Sequence, residues 1–183
     1  MVGKIIIVTV ENTYPGINDP LVSFLRSDGI TSSATLRKMG EMSDLPYVLV
    51  YSGLFPLDPG KFALMRMMQV CEFTGAGIVY SDYIENKNGR LSPHPLIDYQ
   101  EGSLRDDFNF GSVVLYDGSA FRDACNSMDR DFRYAGLYDL RLKISQKHSV
   151  VHLPEQLYTI VETDTRKSGE KLHDYVDPRN RAV

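Results

Sequence analysis

Three apolar runs constrain this chain more than anything else in it: "KIIIVTV" near the start, "YVLVYSG" at residues 47–53 and "AGIVYSDY" at residues 76–83. Each is continuous instead of alternating, the pattern of a strand covered on both faces. Helical segments separate the later runs. "TSSATLRKMGEM" follows a cap residue at Thr31, Ser32 or Ser33, and "PLDPGKFALMRMMQVCEF" reads as a helix from about Pro59, with Pro and Gly in its first turn. Between the first run and these lie the breaker-rich loop "NTYPGINDP" and a short amphipathic piece at Leu21 to Arg26. Strand, helix, strand, helix, strand predicts an α/β chain. The expected architecture is a three-layer, Rossmann-like, mostly parallel sheet with helices on both faces.

The second half has a different texture. "PHPLIDYQEGSLRDDFN" is loop-rich, "FGSVVLYDG" reads as a strand, and "SAFRDACNSM" and "YDLRLKISQ" read as short helices. "SVVHLPEQLYTIVETD" predicts two short strands broken at Pro154. Its polar end suggests one domain over residues 1–165 and a polar tail over 166–183, an ending that suits a longer parent protein.

Composition excludes several classes. With 43% hydrophobic and 10% aromatic residues over 183 positions, the chain can build a core and is not of the disordered type. Twenty basic against 24 acidic residues, a formal net charge of −4, leave no basic stripe for nucleic acid. The first run is too short for a secretory signal and no run could span a bilayer, so a cytoplasmic, soluble protein is expected. Cys71 and Cys125 lack metal-ligand spacing and read as buried, reduced thiols. Met65, Met67 and Met68 read as core filler on a helix. There is no G-x-G-x-x-G after the first strand, no Walker loop and no G-x-S-x-G elbow.

Four features could carry chemistry. Tyr80, Ser81 and Asp82 end a buried strand just before a polar hairpin, and a strand end is a rigid place for a carboxylate that meets a ligand or cation. A solvated hairpin entry would look the same. Asp139 opens a helix, where it serves either the helix dipole or, facing a cleft, as a general base. Asp106 and Asp107 precede "FNFGSVVLY", as solvated acids or with one lining a pocket. His152, Glu162, Asp164, Arg166 and Lys167 form a dense polar group in which the cations could clamp a phosphate or keep the tail in solution. His94, His148 and His173 have no partner at ligand spacing.

Taken in order, "SATLRKMGEMSDLPYVLVYSGLFPLDPG", "AGIVYSDYIENKNGRLSPHP" and "YAGLYDLRLKISQKHSVVHLPEQLYT" resemble the family 2 glycosyltransferases of the GT-A fold, over roughly residues 30 to 160. The resemblance implies an inverting, hexosyltransferase-like activity in polysaccharide or glycoconjugate biosynthesis. A nucleotide-sugar donor, often a UDP-sugar, would lie over the carboxyl ends of the strands. The acceptor would be a glycan or a lipid-linked sugar, and a lipid-linked acceptor would bring the protein to a membrane surface. Asp139 matches the family's base. Tyr80, Ser81, Asp82, Asp107 and Arg166 would bind substrate. Where the family carries an Asp-x-Asp pair this chain reads Ser52, Gly53 and Leu54, with Asp58 too far along, so Asp82 is the nearest carboxylate for a Mn2+ or Mg2+ ion. The alternative is a non-catalytic module of the same fold that binds a glycan or a protein. A nucleotidylyltransferase-like reading lacks its Gly-rich phosphate loop.

Overall fold

A computed structural model describes residues 2–10, 16–102 and 108–162. The elements run β1 (Ile5–Thr9), β2 (Val22–Arg26), α1 (Ser33–Met42), β3 (Tyr47–Tyr51), β4 (Leu57–Pro59), α2 (Ala63–Thr74), β5 (Ile78–Lys87), β6 (Arg90–His94), β7 (Val113–Asp117), α3 (Gly118–Asn126), α4 (Gly136–Ser145) and β8 (Val150–Glu162).

Local chemistry explains most of the boundaries. Ser32, in extended backbone, caps α1 by accepting the Thr35 N–H at 3.1 Å. Asp117 caps α3 the same way, accepting the Ala120 N–H at 2.9 Å. Partial burial alone would raise the Asp117 carboxyl, but hydrogen bonds from Ser119 and Ala120 outweigh it and hold the group below its ordinary range. Gly75, with φ 65°, closes α2 in the left-handed conformation. Asn88 (φ 53°) and Gly89 (φ 86°) turn β5 into β6 in two residues, the primed turn that suits an antiparallel hairpin.

The strands form a two-stranded sheet, β1–β2, and a six-stranded sheet in the order β3-β7-β5-β8-β4, with β6 beside the outer half of β5. This overturns the expectation of a mostly parallel, three-layer GT-A sheet. β1 pairs β2 in parallel and β5 pairs β8 in parallel, but the β3–β7, β7–β5, β5–β6 and β8–β4 pairings are all antiparallel. The reason is physical. A strand covered on both faces is apolar throughout whichever way its neighbour runs, and a two-residue turn can join only antiparallel strands.

Three smaller expectations also change. Leu21 to Arg26, read only as a short amphipathic piece, contains a strand, β2. Leu57–Pro59 is a short strand and the helix after it begins at Ala63, not near Pro59. Residues 150–162 form one strand whose register with β5 shifts: Ser81 faces Leu153 and Tyr83 faces Tyr158, so Asp82 alone stands opposite four residues.

Strand alternation divides the core between the two faces of the main sheet. On one face Ile78, Tyr80, Val114 and Tyr116 pack with Leu36 of α1, Phe121 of α3 and Leu140 of α4. On the other, Val79, Leu115 and Leu153 pack with Met67 and Cys71 of α2. Met67 is the core methionine of the expected trio; Met68 is partly buried and Met65 is 47% exposed. Both cysteines are free and buried, with burial pushing their thiols up to about 11 and about 12.

Candidate active site at the strand-end rim

β1 and β3 carry their carboxyl ends to one rim, and β5 and β8 run in the same sense and continue past it to Lys87 and Glu162, so Asp82 lies at mid-strand and not at a strand end. β8 runs with β5, and β3 does too, because β7 is antiparallel to both. β1 lies beside β3 in the same sense. A Cβ on Gly3 would meet the Leu45 side chain at 2.9 Å, and Lys4 Nζ donates to the Met42 carbonyl at 2.8 Å, so both strands start together. Between β1 and β3 lies a cleft of about 780 Å3. Thr9, Val10, Ser52 and Gly53 line its carboxyl end, and Leu64 and Met68 of α2 line it from one side. Ligands in open α/β sheets favour such a crevice.

The register carries Asp82 to the same rim. Tyr51 pairs Val113 and Tyr80 pairs Val114, so one step further Ser52, Ser112 and Asp82 share a level, and the Ser52 N–H donates to the Ser112 carbonyl at 2.9 Å. Ser52 and Asp82 are two strand spacings apart, roughly 10 Å.

Asp82 sits in a polar group built from three segments. Its side chain is 11% exposed, and Oδ1 accepts the Leu96 N–H at 2.7 Å and lies 2.8 Å from His152 Nε2. The other ring nitrogen, Nδ1, lies 2.6 Å from Oδ1 of Asp98, an exposed residue. A doubly protonated imidazole serves both carboxylates; a neutral ring donates to one. Tyr80 stacks on the His152 ring at 4.9 Å and its hydroxyl donates to the Ile97 carbonyl at 2.6 Å. Burial pushes the Tyr80 hydroxyl up to about 12, with a hydrogen bond from the Tyr99 backbone acting against it and the negative charges of Asp98 and Asp82 adding to it. Phe110 meets Tyr80 edge-on at 5.0 Å, and the Arg141 guanidinium lies 4.7 Å over the Phe110 ring.

The residues expected at a site are thus partly assembled. Tyr80 and Asp82 come together on one face; Ser81 lies on the other, fully buried, with Oγ unpartnered where the β8 register shifts. Asp139, in the first turn of α4, belongs to a separate group: Lys143 Nζ lies 3.6 Å from its Oδ1 and 3.9 Å from Asp129, while Asp139 Oδ2 is buried without a hydrogen-bond partner. Asp106, Asp107, Asp164, Arg166 and Lys167 lie outside the described residues. His152 and Glu162 are not neighbours. They stand ten residues apart in β8, and Glu162 pairs with Lys87 at 3.5 Å. His94, expected without a ligand partner, stacks on Tyr83 and lies 3.3 Å from Glu85.

Sequence reading missed His152 and Asp98 as partners of Asp82. The available signal was a histidine set among the apolar positions of "SVVHL", in a strand that must cross a core. Among the described residues no three His, Cys, Asp or Glu side chains are grouped to hold a metal, and Asp82 Oδ1 is already engaged. Of the donors a divalent cation needs, the described residues here offer only Asp82 Oδ2 beside the engaged Oδ1. Among the described residues, too, no helix is long and apolar enough to cross a membrane.

No family model and no curated protein matches the chain.

Proposed function

We propose that this chain transfers a sugar from a nucleotide-sugar donor to a hydroxyl of a glycan or lipid-linked acceptor, with inversion. The observation that carries the reading is the 780 Å3 cleft opening at the rim where β1 and β3 end. That volume lies within the roughly 300–1,000 Å3 of small-molecule sites, and its walls are mainly apolar with a few polar groups. The donor's nucleotide occupies the cleft between β1 and β3, and its sugar extends along the rim toward Asp82. Asp139 offers a desolvated oxygen, Oδ2, while Lys143 holds Oδ1. It takes the proton of the acceptor hydroxyl as that oxygen bonds to the anomeric carbon. The bond from that carbon to the phosphate oxygen breaks, and the nucleoside diphosphate leaves with the electron pair.

A second reading is favoured by one observation. Neither Asp82 nor Asp139 lines the cleft, and the two acids have separate partners. A module that binds a nucleotide sugar, a glycan or a protein without turning anything over needs no convergence of acids.

Thermal unfolding with a panel of nucleotide sugars and free nucleotides, each with and without Mn2+ or Mg2+, separates the two. A donor at ~100 times its Kd stabilises the native state by roughly 2.7 kcal/mol. A shift with one donor, together with release of nucleoside diphosphate that Asp139→Asn abolishes without unfolding the chain, supports the transferase. A shift without turnover supports the binding module. No shift at millimolar donor sinks the cleft as a nucleotide-sugar site. Strengthening by Mn2+ would show that residues outside the described ones complete a cation site.

A further inference from the structure

Asp82 is oriented as well as buried. Its Oδ1 faces two donors of fixed direction, the Leu96 N–H at 2.7 Å and His152 Nε2 at 2.8 Å. Two donors on one oxygen set the plane of a carboxylate and leave the second oxygen for another partner. His152 is itself held on every side. Asp98 Oδ1 stands 2.6 Å from Nδ1, the Tyr80 ring stacks on its face at 19°, and its side chain is 5% exposed.

The geometry points to His152 as a positioning residue: with Asp98 fixing its ring, it turns Asp82 so that Oδ2 meets the sugar at the rim. This rests on the proposed transferase reading, in which Asp82 touches the donor. The competing role is a plain staple. Leu96, Ile97 and Asp98 are each bonded to Asp82, Tyr80 or His152, so His152 could serve only to tie that segment to β8. The two roles use different ring nitrogens, Nε2 for Asp82 and Nδ1 for Asp98. That difference makes them separable, because a glutamine amide reaches the place of Nε2 and an asparagine amide the place of Nδ1.

The test uses the full chain with H152Q, H152N and D82N, following UDP release from UDP-glucose, UDP-galactose and UDP-N-acetylglucosamine with Mn2+ present, alongside thermal unfolding. If His152 positions Asp82, H152N lowers kcat about 10- to 100-fold, the size expected for losing a charged hydrogen bond or a placed group. H152Q then stays within about threefold of the parent, and KM moves little in either. D82N loses at least as much as H152N. Equal activity in H152Q and H152N, or a larger loss in H152Q, overturns the positioning role while the transferase reading stands. Release of UDP by neither the parent chain nor any variant overturns both. The melting curves guard the comparison: activity lost only in a variant that no longer unfolds cooperatively is scored by the other histidine variant.

Discussion

β1 and β5 are written in nearly the same letters and end in different circumstances. "IIIVT" is more β-branched than "IVYSD", yet Ile5 is 42% exposed and the rest of β1 is half-buried, whereas Ile78, Val79 and Tyr80 are fully buried. β5 has β7 and β6 along one edge and β8 along the other, with helices over both faces. β1 has only β2 beside it and the cleft on its far side. An apolar run is therefore a capacity for burial; pairing and coverage decide how much of it is used. The open edge of β1 is also what gives the cleft its wall.

Truncation inside the two regions tests that contrast most severely. Leu115→Ala, at a fully buried position of the main sheet, should cost about 2–5 kcal/mol. Ile7→Ala in β1 should cost roughly 1 kcal/mol, because that side chain is only partly removed from water. Urea unfolding measures both, and equal losses would mean that β1 is as well covered as the main sheet.

Two glycines sharpen the comparison at a common partner. A Cβ on Gly118 would stand 2.1 Å from the Leu45 carbonyl oxygen, and a Cβ on Gly3 would meet only the tip of the Leu45 side chain at 2.9 Å. Backbone cannot step aside and a leucine rotamer can, so Gly118→Ala should cost ~1–3 kcal/mol and Gly3→Ala well under that. A Gly3 variant as damaged as the Gly118 variant would show β1 and β3 locked together instead of tethered.

The smallest effect is an alkaline one. Burial raises the hydroxyls of Tyr80 and Tyr158 from the ordinary 10 to about 12. The folded state therefore favours their neutral forms. That contribution is whole below pH 10 and is lost as the pH climbs toward 12. In an ultraviolet titration of the 11 tyrosines, these two in the main sheet should ionise last, together with loss of cooperative folding. Eleven tyrosines titrating together near pH 10 in a folded chain would contradict this.

Local signals in the sequence were legible because they act within one turn or one strand. The cap at Ser32 needs only Thr35, and the hairpin at Asn88 and Gly89 needs only their own positive φ angles. The three apolar runs did mark β1, β3 and β5. Strand direction was not legible: "VVLYD" of β7 is as uniformly apolar as a parallel strand, since helices cover both of its faces. The site was half legible. Asp82 stood out as an acid closing an apolar run, although β5 continues past it to Lys87, and its bond to His152 spans 70 positions and the bond from His152 to Asp98 spans 54. No periodicity records a pairing of that kind; it exists only once β8 has found its register on β5.

The irregularity in β8 has a consequence for the phase of that strand. Leu153 and Tyr158 both pack toward α2, although they stand five positions apart, an odd step. The four residues between them act as a phase shifter: odd positions face that side before the shift and even positions after it, as Ile160 shows. That is why the segment reads as two short strands, each with its own alternation. A residue added or removed within 154–157 can be absorbed in the shifter. The same change at 150–152 or 159–161 would turn the rest of a half-strand inside out. The rim that holds His152 and the core that holds Tyr158 are thus insulated from each other's errors in length.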